Sequence, residues 1–184
     1  MKQRVFDVKG DSHKPAEHYK VYSMWLHMHQ RVGNHSNYLD CSIHDDWYLY
    51  SNFKNWVLAH DVWRDLALDK DLLVVGNKMY GPDTCCLIPQ WLNKFIVESR
   101  GVSGKLTGAF FVKRLANGPR PYQAKYVVPD HTKKNYQQQK HIGYFATELE
   151  AHTAWKAAKH TEACRIADDI QDQRIANALR TRYL

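Results

Sequence analysis

The chain has no run of apolar residues approaching the roughly 18 needed to cross a bilayer. Its opening, MKQRVFDVKGDSHK, lacks the apolar segment of a secretion signal. A cytoplasmic protein with no membrane partner is expected. Cysteine is scarce: Cys41, Cys85, Cys86 and Cys164 form no CxxC pair, and adjacent Cys85 and Cys86 fit no disulfide framework, which suits a reducing compartment. Zinc finds little purchase. Cys41 and His44 have CxxH spacing, but neighbouring cysteines seldom ligate one ion and no second paired spacing exists. His27 and His29, two apart on a predicted helix, do not share a face. No Gly-rich phosphate loop and no GxSxG elbow occurs.

Acidic residues are missing from one region in particular. Residues 99–147 hold 9 Lys+Arg against 1 Asp+Glu, whereas residues 1–98 hold 11 against 12 and residues 148–184 hold 6 against 6. The formal net charge of +7 therefore arises within about fifty residues. A localised basic surface attracts polyanions far better than the same charge dispersed, so nucleic acid leads as a partner, with a solvated basic loop as the plainer alternative. Apolar residues at 44% and charged residues at 24% exclude a disordered, collagenous or coiled-coil chain. The 184 residues allow one medium domain or two small ones.

Periodicity places a first helix after Lys14, with Pro15 in its first turn and Tyr19, Tyr22, Trp25, Leu26 and Met28 recurring to about Gln30. Cys41 to His44 reads as a short extended piece, and Asp45 as the cap of a helix carrying Trp47, Tyr50, Phe53, Trp56 and Val57. Leu66 to Val75 reads as a strand, Gly76 to Thr84 as a loop, Cys85 to Ile88 as a strand and Pro89 onward as a helix. Glycines at 101, 104 and 108 mark a linker over 99–108, separating domains 1–98 and 109–184. Beyond it come strands Ala109 to Leu115, Tyr122 to Val128 and Lys140 to Phe145, and then Thr147 and Glu150 at capping-box spacing. A helix with Ala151, Ala154, Trp155 and Ala158 on one face follows to about Asp169, with a short tail helix from Gln171. The fold class is α+β: a ββα unit with flanking helices, then a three-stranded antiparallel sheet packed on one long helix.

On the middle strand, alternation turns Ala124, Tyr126 and Val128 toward the helix and Gln123, Lys125 and Val127 away from it. With Lys113, Arg114, Arg120, Lys133, Lys134, Lys140 and His141, that outer face forms a surface able to enter a major groove, Lys133 and Lys134 gripping phosphates from a loop. YQAKY, IGYF at Ile142 to Phe145 and TELEAHTAW make residues 106–165 resemble the plant ethylene-response-factor (Apetala-type) DNA-binding domain, which also occurs in phage homing endonucleases. The resemblance implies a sheet laid in the DNA major groove. Phe110, Phe111 and Val112 stand where that family has basic residues.

Residues 15–95 resemble the phage His-Asn-His (HNH) endonuclease family: Asp69-Lys70 falls at its Asp-His pair, Pro82 to Cys85 at its Pro-Glu-Asn-Leu, and Asn93 at its final position. The resemblance implies a catalytic group of Asp69, Lys70, Asp71 and Asn93, with Asp69 and Asn93 holding Mg²⁺ if the chain is catalytic. In such enzymes a neutral imidazole takes the proton of the attacking water, and Lys70 is a poor base beside two carboxylates. Thr84 replaces the positioning Asn. A strand-end ion-pair cluster is the structural alternative for Asp69, Lys70 and Asp71. Three functions are expected in order: a duplex-DNA-binding protein of HNH descent with weak or lost nuclease, an active Mg²⁺-dependent endonuclease, and a phage protein binding a host factor through Trp25, Trp47, Trp56 and Trp63.

Overall fold

The computed structural model describes residues 3–97, 106–129 and 137–184. The chain divides into two compact units, Met1–Gln90 and Trp91–Leu184, so the division falls ahead of residue 98 and inside the helix that follows Pro89. No described helix is long and apolar enough to cross a membrane.

The first unit is built on aromatic packing. Helix α1 (Tyr19–Asn34) directs Val21, Trp25 and Met28 inward, and α2 (Tyr50–Leu58) supplies Tyr50, Phe53 and Val57. Trp47 lies in a 3-10 turn, Asp45–Tyr48, capped by the His44 side chain. Its ring meets Phe53 edge-on at 5.1 Å, and its carbonyl accepts the Trp25 indole N–H at 2.7 Å. The buried Trp25 indole N–H thus has a partner, as burial requires. The Asp11 carboxylate beside it accepts from the Tyr50 hydroxyl and the Lys54 ammonium, both at 2.8 Å. Burial alone would raise the Asp11 pKa, but the hydrogen bonds from Lys54 and Tyr50 outweigh it and hold the carboxyl below its ordinary value.

Two short pairings complete this unit. Strands β1 (Ser42–Ile43) and β3 (Met79–Tyr80) run parallel, while β2 (Leu66–Asp69) and β4 (Cys86–Pro89) run antiparallel with Asp69 opposite Cys86. Three sequence expectations need correction. Asp45 does not cap the second helix, which starts at Tyr50 with Leu49 at its N-cap after the 3-10 turn. The strand expected over Leu66 to Val75 ends at Asp69, because the Asp69 carboxylate accepts the Asp71 and Leu72 N–H groups and turns the chain. The first helix begins at Tyr19, not beside Pro15, because the His13 carbonyl takes the Ala16 N–H in a turn that precedes it.

In the second unit β5 (Ala109–Phe111), β6 (Tyr122–Pro129) and β7 (Gln137–Phe145) form an antiparallel sheet with β6 in the centre. Helix α4 (Glu148–Asp168) packs on one face of it, and α5 (Gln173–Thr181) packs on α4. Ala109, Ala124 and Val128 of the sheet are buried with Ala151 and Trp155 of the helix. Small side chains on both elements allow the close approach. Helix α4 starts at the expected capping box: the Thr147 hydroxyl accepts the Glu150 N–H at 3.1 Å, and the Glu150 carboxylate accepts the Thr147 N–H at 3.3 Å.

Helix α3 (Gln90–Ile96) buries Leu92, Phe95 and Ile96. Lys159, 3% exposed, donates to the Phe95 carbonyl and sits 3.5 Å from the Phe95 ring centroid. That bond ties α3 to α4 and explains why α3 belongs with the second unit. The strand expected over Ala109 to Leu115 stops at Phe111, since Val112 bonds to the Pro121 carbonyl and Lys113–Leu115 coils into a 3-10 turn. At Gly108, φ is +79° and an added Cβ would lie 2.0 Å from the Trp155 ring, so only glycine serves there.

Candidate nucleic-acid interface

The sheet face opposite α4 follows from the register. Phe110 of β5 pairs with Gln123 of β6, which pairs with Tyr144 of β7. Further along, Lys125 pairs with His141 and Val127 with Gln139. Between these pairs the register shifts, and Ile142 is the extra residue of a β-bulge. Without the bulge His141 would turn to the helix side. With it, His141 stands beside Gln123, Lys125 and Tyr144.

The side chains on this face are already linked. The Gln123 amide nitrogen lies 3.0 Å from His141 Nδ1, and the His141 and Tyr144 ring centroids are 4.9 Å apart. The Tyr144 hydroxyl accepts from the Arg114 guanidinium at 3.3 Å, and Lys125 donates to the Gln139 side-chain oxygen at 3.4 Å. Lys125 Nζ also lies 4.8 Å above the Phe110 ring, which is 42% exposed. Neither β6 nor β7 contains an acidic residue. The face therefore combines cations, amide groups and aromatic rings, the types that grip phosphates, pair with base edges and contact base faces.

The expected site residues are distributed unevenly around it. Gln123, Lys125, His141 and Arg114 gather on the outer face. Lys113 and Arg120 are exposed beside it, on the 3-10 turn and in the approach to β6. Lys140 pairs with Tyr126, so the bulge sets it on the other face from Lys125. Lys133 and Lys134 lie outside the described residues. Phe110, Gln139 and Tyr144 join the surface without having been singled out, since their placement depends on strand pairing and on the bulge.

The Asp69 turn in the first unit has a different character. Asp69 Oδ1 accepts the Asp71 and Leu72 N–H groups at 2.9 and 2.7 Å. Lys70 is 7% exposed; its ammonium bonds the Asp71 carboxylate and, at 2.9 Å, the Asn77 carbonyl. The Asn77 amide returns bonds to the carbonyls of Lys70 and Met79 at 2.8 and 2.7 Å. The Lys70 ammonium thus lies between Asp71 and Asn77, while Asp69 Oδ1 is engaged by the backbone. Asn93, on α3, belongs to the second unit.

Among the described residues there is no group of three or more His, Cys, Asp or Glu able to hold a metal ion. Burial pushes the Cys85 thiol up to about 12. Trp25, Trp47 and Trp63 are buried in the first core and Trp56 packs against it, which removes three of the four from any docking surface. No protein-family model, curated protein or solved structure matches this chain.

Proposed function

We propose that this chain is a DNA-binding protein that grips duplex DNA through the outer face of β5, β6 and β7, related by descent to phage HNH homing endonucleases, with its nuclease activity weak or lost. One observation carries the reading: Arg114 and Lys125, from the basic segment 99–147, stand with Gln123 and His141 on the sheet face turned away from the supporting helix, with Lys113 and Arg120 exposed beside it. A sheet of this width enters a major groove as a β-ribbon does, and its Arg and Lys side chains release counterions from the phosphates they meet.

The HNH part of the proposal rests on the order β2, β4, α3 and on Asp69-Lys70 at the strand end. The bonds within the Asp69 turn favour a structural role for it over catalysis. Binding to a fluorescent duplex of about 20–30 base pairs, followed by anisotropy across a salt series, tests the proposal. With about five phosphates neutralised, log affinity falls against log salt with a slope of about −4 to −5. Absence of binding at low salt, or an affinity indifferent to salt, would refute it.

A further inference from the structure

An amide nitrogen can only donate, so the 3.0 Å contact between the Gln123 amide nitrogen and His141 Nδ1 requires Nδ1 to be the acceptor. The neutral ring then carries its proton on Nε2. With the ring proton on Nε2, this bond takes one Gln123 N–H and leaves the amide oxygen and the second N–H as an acceptor and donor pair. Adenine presents the complementary pair in the major groove, an N6 donor next to an N7 acceptor.

We infer that Gln123 reads an adenine base edge and that His141 is the positioning residue that sets the order of its amide atoms. The inference rests on the duplex-binding reading above and deepens it from a sequence-indifferent grip to a specified base. The bulge at Ile142 is the structural device behind it, since it alone brings His141 onto the face of Gln123. A flexible amide gains specificity by being held: an unsupported Gln turns over at will and matches more than one base edge.

The test is selection from duplexes carrying a randomised segment, with the bound fraction sequenced. One position is enriched in adenine by about tenfold or more over the other bases, the discrimination a bidentate pair supplies. Gln123→Ala binds with an unchanged salt slope and selects no adenine. His141→Ala, which leaves the amide unheld, binds with an unchanged salt slope and selects adenine less sharply, whereas His141→Asn, which keeps an acceptor near the Nδ1 position, retains the selection.

Adenine enrichment that survives in Gln123→Ala, or that is undiminished in His141→Ala, overturns the inference. Salt-dependent binding with no base enriched at any position overturns it too and leaves the duplex-binding reading standing. No binding at low salt removes both.

Discussion

Replacing Gly108 with alanine probes how the sheet meets its helix. The perturbation is one methyl group, and the structure assigns it two costs. Residue 108 has φ +79°, a conformation that costs an L-residue about 1–2 kcal/mol. The new Cβ would also lie 2.0, 2.2 and 2.3 Å from three Trp155 ring atoms, far inside the roughly 3.5–4.0 Å at which carbons rest. Trp155 has little room to retreat, because it is buried and its ring is flanked by His152 at 5.7 Å and Tyr183 at 6.0 Å. Overpacking of this kind costs about 1–3 kcal/mol, so the expected total loss is about 2–5 kcal/mol. Urea unfolding followed by tryptophan fluorescence reads it as a lowered midpoint at unchanged slope. Gly118→Ala is the control: the nearest atom to its Cβ is the Leu115 carbonyl oxygen at 3.4 Å and its φ is not left-handed, so a change within about 0.5 kcal/mol is expected. A Gly108→Ala protein that unfolds at the unaltered midpoint would refute the packing of Trp155 beneath the start of β5.

Three further outcomes follow from local bonding. Asp69→Ala removes the acceptor of two backbone N–H groups, one of them on buried Leu72, and lowers stability by about 1–3 kcal/mol; supercoiled plasmid with Mg²⁺ stays intact with either protein, and nicking that vanishes in the variant would contradict the structural role. Thr147→Ala removes half of the capping box and costs about 1 kcal/mol in a thermal melt, with an unshifted melt counting against it. Because the Asp11 carboxyl is held below the ordinary value of 3.8, its contribution is complete above that value and is lost as pH falls through its lower folded value; Asp11→Asn therefore destabilises at neutral pH and flattens the acid limb of the stability profile, and an unchanged acid limb would oppose this assignment.

The parts of the fold that read correctly from sequence are those governed by short-range chemistry. Thr147 and Glu150 announce the start of α4 because both partners of the reciprocal bonds lie within three residues. The alternation of Ala124 and Val128 against Gln123 and Lys125 survives because one face of β6 is buried. Misreadings arise where a side chain competes with a strand ladder. Leu66 to Val75 holds two apolar stretches on either side of Asp69, Lys70 and Asp71, and their joining into one strand is stopped by the Asp69 carboxylate, a bond that apolar periodicity does not reveal. The composition of the candidate interface was legible, but its geometry was not. Period-two counting back from Tyr144 selects Ile142 and Lys140, whereas the bulge selects His141 and Gln139 instead. A bulge is set by pairing with another strand, so nothing within β7 alone reveals it. The Lys70 turn was ambiguous for a related reason: a carboxylate–lysine–carboxylate run suits an ion-pair cluster or a metal site, and the Asn77 carbonyl that Lys70 meets lies seven residues away.

The central claim is that the outer sheet face, and no other basic surface, holds the duplex. The direct measurement compares salt slopes of DNA affinity for the unaltered protein, for Arg114→Ala combined with Lys125→Ala, and for Lys156→Ala on α4. Loss of two phosphate contacts makes the slope shallower by about 1.8, while the α4 variant keeps the original slope. The opposite pattern, with Lys156→Ala flattening the slope and the double variant leaving it intact, would contradict the account.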